Sequence, residues 1–306
     1  MKIIALCNQK ENIKDLLQSK ADIVAVGCKN FSDKTQTKLT KEEIKEVLSA
    51  AKKANKKLYV YLDAFIYDIM IPELEELLVY LNEIQIDGVI FNDIGINQIC
   101  FEKNLKLNLV YDPKALVTNY EQFPFYKKNN IDTVVLANEL KDFEVFECCE
   151  HKKDMQLAKQ VSGYVFIMES RWQLITEFLK KNKIDANLND CKVYIKEKTR
   201  EFPSIIYQNE FGTHICTGYV LSNLEYLEQL KQKGLDYIII DGLLHSDAWL
   251  LETIDLYSKA INDLSNINQY VVQEQEINQN EFISNGFISN NPEDLKYVPK
   301  NTKEEE

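Results

Sequence analysis

Short apolar runs rich in β-branched residues alternate with longer amphipathic stretches along most of this chain. The runs are KIIALC (2–7), DIVAVGC (22–28), KLYVYLD (57–63), DGVIFND (87–93), KLNLVYD (106–112), DTVVLAN (132–138), QLAKQVSGYVFI (156–167) and DYIIID (236–241). Near-continuous apolar strands of this kind suit a parallel sheet covered on both faces. The stretches between them carry helix signals. TKEEIKEVLSAAKKAN begins with Thr40 as N-cap and Glu43 three residues on, a capping box. PELEELLVYLNEI places Pro72 at the first helical position, and LSNLEYLEQLKQKG ends on Gly234. SDAWLLETIDLYSKAIND offers Ser246 or Asp247 as its cap.

Eight strands in β-then-α order predict a (β/α)8 TIM-type barrel over residues 1–262. A doubly wound open sheet is the alternative, because periodicity does not show closure. The spacing breaks once, between the seventh and eighth strands, which predicts an insertion over about 169–222. Loops that follow barrel strands form the face where chemistry is done. The strand ends there carry Asn8, Cys28, Asp63, Asn92, Asp93, Asp112, Asn138, Glu139 and Asp241. Such residues are either site groups or plain caps of the following helices. Residues 263–306 are rich in Gln and Asn and are expected to form a polar, extended or partly disordered tail.

At 306 residues and 45% hydrophobic, the chain can bury a full core. Its net charge of −12, with lysines interleaved among acids, is unlike the basic face of a protein that grips nucleic acid alone. Any RNA contact would therefore lean on a partner. No apolar run is long enough to span a membrane, and the start MKIIALCNQKENIKD lacks the apolar stretch of a signal peptide. Seven cysteines without a CxxC point to a reduced, cytoplasmic setting, with the vicinal Cys148 and Cys149 on a helix.

There is no HExxH, GxSxG or P-loop, and His151, His214 and His245 lie in separate elements. In GTHICTG an extended backbone puts His214 and Cys216 on one face, as a core-packed hairpin or as a Cys–His dyad. The stretch EFGTHI (210–215) reads as a tight turn at Gly212 that presents Glu210 and His214 over the barrel mouth. Two readings stand. In one, the hairpin is pinned structurally by Arg200–Glu210 pairing. In the other, His214, Glu139, Arg171 and Arg200 form a pocket for an anionic group. Arg171 and Arg200 are the only arginines among the 36 basic residues, and their guanidinium forks suit carboxylates.

The run REFPSIIYQNEFGTHICTGYVLSNLEYLEQLKQKGLDYIIIDGLL resembles a signature of the U32 (collagenase-like) peptidase family. The matching positions are Arg200-Glu201, Asn209-Glu210, Gly212-Thr213-His214-Ile215 and Asp241-Gly242. VSGYVFIMESRWQLI is similar to the family's V-H-G segment and the S-K-R after it. Ser162 stands at the histidine, and Ser170-Arg171 match the S-K/R. TVVLANEL resembles V-x-L-A-R-E-L, keeping Glu139 with Asn138 at the arginine, and KKLYVYLDAF resembles the third strand with Asp63 at a customary asparagine. The resemblance implies a barrel with His214, Glu139 and Glu210 as catalytic residues and Arg171, Arg200, Asp241 and Ser162 as substrate-binding ones. It implies a part in tRNA wobble-uridine 5-hydroxylation beside a cluster-bearing paralogue, with tRNA reached through the complex and prephenate as a co-substrate. A peptidase and a catalytically silent partner are the alternatives. Larger members hold an iron–sulfur cluster with cysteines after V-H-G. Phe166 and Gln173 stand at those positions, so no cluster and no bound cofactor are expected.

Overall fold

The computed structural model describes residues 1–188, 192–198 and 202–289. Strands β1 (Lys2–Leu6), β2 (Ile23–Gly27), β3 (Lys57–Leu62), β4 (Gly88–Phe91), β5 (Leu109–Tyr111) and β6 (Thr133–Val135) pair in parallel, each with the next. The long strand β7 (Gln156–Ser170) follows β6. Helices α1 (Ile13–Gln18), α2 (Lys41–Lys53), α3 (Ile71–Glu83), α4 (Ile94–Glu102), α5 (Phe123–Lys128) and α6 (Asp142–His151) connect them.

The insertion follows as α7 (Leu174–Asn182), β8 (Val193–Ile195), β9 (Ser204–Gln208) and β10 (Thr213–Ser222), before α8 (Leu227–Gln232) and β11 (Tyr237–Asp241). Strand β11 pairs in parallel with both β1 and β7, closing an eight-stranded barrel. This is the TIM-type barrel the periodicity predicted, and the open sheet is excluded.

Alternation along each strand separates two cores. Ile4, Leu6, Ile23, Ala25, Tyr59, Tyr61, Val110, Ala158 and Ile239 are among the side chains that fill the barrel interior. Val24, Val26, Val60, Leu157, Ile238 and Ile240 face outward, against Leu48, Leu77, Leu78 and Leu250 of the helices. The helix starts follow their local signals. Thr40 and Glu43 form the capping box of α2, and Ser246 accepts from the Trp249 amide at the start of α9 (Asp247–Asn262).

Strand β7 overruns the barrel. Its second half pairs antiparallel with β10, which pairs with β9 and so on to β8. A side sheet thus grows out of the barrel wall and brings the EFGTHI turn back to the C-terminal end.

Of the expected tail, residues 290–306 lie outside the described residues, and residues 263–289 are not extended. They form α10 (Ile267–Ile277) against α9, and β12 (Ile283–Ser284), which adds to β10 in parallel. Tyr270, Glu274, Asn278 and Ile288 are buried there, and the Trp249 indole donates to Asn278 Oδ1 at 2.8 Å. The folded unit therefore runs past 262. The segment's Gln and Asn content hid it, because its few burying positions are partly polar.

Candidate functional site at the barrel mouth

Asp63, at the end of β3, organises the loop after β2. Its Oδ1 accepts from the amides of Asp33 (2.5 Å) and Lys34 (3.2 Å), and its Oδ2 from the amide (3.1 Å) and hydroxyl (2.9 Å) of Thr35. This fixes two neighbouring side chains. Lys34 is buried, donates to the Asp63 carbonyl at 2.8 Å, and lies 2.7 Å from Glu169 Oε2 of β7. Its ammonium also sits over the rings of Phe65 (5.4 Å) and Phe166 (5.0 Å).

Asp33 faces the insertion. Its Oδ1 is 3.1 Å from His214 Nε2, which also lies 3.2 Å from Asn209 Oδ1. Both neighbours are oxygens, so Nε2 carries the ring hydrogen. Asn209 stitches the turn down: its Nδ2 donates to the carbonyl and Oδ1 of Asp33, and its Oδ1 accepts from the amides of Phe211 and Gly212. His214 is fully buried and stacks on Tyr207 at 4.8 Å. Burial pushes the Glu169 carboxyl up to about 7 against the pull of Lys34, with neighbouring Asp33 adding to the rise. Burial also raises Asp33, but hydrogen bonding and charge from His214 outweigh it and hold that carboxyl below its usual range.

A second polar layer lies at the strand ends inside the barrel. Tyr61 donates to Asp112 Oδ2 at 2.6 Å, and Lys114 Nζ is 3.2 Å from the same oxygen and 5.0 Å above the Tyr61 ring. Burial raises Asp241 while Lys114 pulls it down and Asp63 and Asp112 add to the rise. One ammonium thus serves three carboxylates. Cys216 lies close enough to feel Asp241, Lys114 and Lys34, and burial pushes its thiol up to about 12. That is the opposite of an activated thiolate, which disfavours the Cys–His dyad.

The residues expected from sequence are dispersed. His214 and Asp241 are at the mouth and buried. Glu210 is exposed and ion-paired with Lys38. Arg171 is exposed, its guanidinium stacked 4.2 Å over Tyr67. Glu139 is exposed; its charge opposes the burial that pulls Lys159 down to about 8. Ser162 is fully buried beside the Tyr257 hydroxyl of α9. Arg200 lies outside the described residues, as does its proposed pairing with Glu210. Among the described residues no hydrogen bond or ion pair joins His214, Glu139 and Arg171, because the imidazole is drawn under the hairpin by Asp33, Asn209 and Tyr207.

Sequence reasoning missed Asp33, Lys34, Glu169 and Lys114. Only Lys114 left a signal, two residues after a strand-end aspartate in YDPK. The two positions matched to cluster cysteines do not fit a cluster: Phe166 packs under Lys34, and Gln173 donates to the Asn209 carbonyl at 2.9 Å.

Among the described residues no helix is long and apolar enough to cross a membrane. The chain is 26% identical over 255 residues to tRNA hydroxylation protein P2 of Bacillus subtilis (strain 168), covering 82% of each. It is 23% identical over 267 residues to tRNA hydroxylation protein P1 of the same strain, covering 85% of this chain but 63% of that one. An uncharacterized protease of Methanocaldococcus jannaschii is 25% identical over 283 residues, with 88% and 67% covered. A solved U32 peptidase shares the fold at a TM-score of 0.50 and 16% identity, over 79% of this chain and 92% of that one. The sequence profile of Peptidase family U32 matches residues 8–297, nearly the whole chain, and the protein belongs to that family.

Proposed function

We propose that this chain acts in tRNA wobble-uridine 5-hydroxylation as the cluster-free member of a pair, beside a cluster-bearing U32 paralogue in the cytoplasm. The observation that carries this reading is the match to tRNA hydroxylation protein P2, which runs over 82% of both chains. The geometry supports the division of labour. Phe166 and Gln173 are committed to packing and to the Asn209 carbonyl, so the redox centre falls to the partner. The net charge of −12 leaves much of the grip on tRNA to that partner as well. Prephenate is the metabolite the pair would use, with the exposed guanidinium of Arg171 as its contact on this chain.

Deleting the gene and profiling tRNA nucleosides by mass spectrometry tests the reading. Loss of 5-hydroxyuridine derivatives, restored by the wild-type gene, is expected; an unchanged profile sinks the proposal. Restoration by Lys114→Met and Arg171→Ala genes as well would make the chain a silent scaffold. The peptidase reading draws on the M. jannaschii relative's name, and would be favoured by a peptide-cleavage defect with intact nucleosides.

A further inference from the structure

We propose that Asp33, Glu169 and His214 form a binding site for one divalent first-row cation of the Mn2+, Fe2+ or Zn2+ kind, buried where the insertion meets the barrel mouth. Three elements converge there: the loop after β2 brings Asp33, β7 brings Glu169 and β10 brings His214. One potential ligand atom from each lies within 4.8 Å of the other two. One imidazole nitrogen and two carboxylate oxygens suit such ions better than soft or purely oxygen-loving ones.

A second observation points to a ligand. The Asp33 side chain is fully buried, yet its Oδ2 accepts no hydrogen bond among the described residues. Its nearest ion-pairing cation is Lys34, at 4.0 Å. Buried carboxylate oxygens in that state are costly unless something fills the gap. One oxygen of each of the Asp33 and Glu169 carboxylates lies within 4.8 Å of the other, and two buried carboxylates so close are costly without a positive charge between them. That gap is the place a cation would take. On binding, the imidazole offers the Nε2 lone pair with its hydrogen moved to Nδ1, which has no hydrogen-bond partner among the described residues. Lys34 stays on Glu169 Oε2 and moderates the affinity by its charge.

The site stands independently of the tRNA reading, and its test uses no tRNA. The full chain is freed of metal with a chelator, then dialysed against Zn2+ or Mn2+ alone at pH 7.5, with bound metal counted by elemental analysis and stability followed by melting. About one equivalent bound, with a rise in Tm, is expected. Glu169→Gln keeps the size of the side chain and can donate to Asp33, and so keeps the fold, but should weaken binding on the order of tenfold or more. Lys34→Met should tighten binding, because it removes the ammonium that competes for Glu169. Binding equal in wild type and Glu169→Gln would mean surface sites only. No binding of either ion would mean that Lys34 and the hydrogen bonds of Asp33 hold the three groups without a metal. Either result overturns the proposal.

Discussion

The hydroxyl of Tyr257 lies 3.1 Å from Glu274 Oε1 and 3.0 Å from the Val161 carbonyl, joining α9, α10 and the barrel wall. One hydroxyl hydrogen cannot serve two acceptors. The arrangement closes when Glu274 carries a proton and donates to Tyr257, while Tyr257 donates to Val161 and Ser222 donates to the other Glu274 oxygen. Burial pushes Glu274 up to about 7, against the pull of the Ser222 hydroxyl.

The sign follows from linkage. A carboxyl raised on folding contributes stability that is full below its ordinary value near 4.3 and is lost as pH rises through about 7. The loss is on the order of 3 kcal/mol across that window. Glu274→Gln can make both hydrogen bonds without titrating. Its Tm should vary less between pH 5 and pH 8 than that of the parent, and should exceed it at pH 8. A pH dependence unchanged from the parent would show that Glu274 is ionised in the fold.

Asp63 supplies acceptors for three amides and a hydroxyl in the 33–35 loop, so its removal leaves buried donors without partners. Asp63→Ala should cost about 3 kcal/mol or more, read from urea unfolding. Asp63→Asn, which keeps one oxygen but turns an amide toward a donor, should fall between. A loss below about 1 kcal/mol for the alanine variant would mean that water replaces the carboxylate.

These two residues also mark what the sequence made legible. The strands and the insertion were readable because burial on two faces writes itself as apolar runs, whereas closure was not, because periodicity is the same in an open sheet. Asp63 was visible as a strand-end acid, although not its choice between cap and site. Asp33, Lys34 and Glu169 were not legible: the first two are charged residues in a polar stretch and the third ends an apolar run, each identical on paper to a solvated residue, and it is the side sheet returning over the barrel mouth that encloses them. Glu274 was lost in a Gln-rich segment for the same reason.

Arg171 and His214 should separate stability from function. The guanidinium is exposed and stacks on Tyr67, so Arg171→Ala should cost less than about 1 kcal/mol. His214→Ala removes a buried ring and leaves the Asp33 and Asn209 oxygens facing a void, for about 3 kcal/mol. Melting and nucleoside profiling of both variants check this. If Arg171→Ala melts as low as His214→Ala, then the rim is part of the packed structure and not a free contact surface.

Gly212 answers for the shape of the EFGTHI turn. Its φ is 153°, and a Cβ there would sit 2.1 Å from the Ser170 carbonyl oxygen and 3.0 Å from the Arg171 Cα. Both obstacles are backbone and cannot rotate away. Gly212→Ala must therefore push β10 off the end of β7, where Thr213 pairs with Ser170, and disturb the Asn209 amide that donates to the Gly212 carbonyl. The cost should be about 2 kcal/mol or more. His214 is two residues away, so its contact with Asp33 should loosen too. Hydrogen exchange should show faster amides over 209–216 in Gly212→Ala than in the parent, while Phe211→Ala, next door, changes them less. Equal protection in Gly212→Ala and the parent would mean that the turn relaxes without strain, and that the close approach of the two strands does not hold His214 in place.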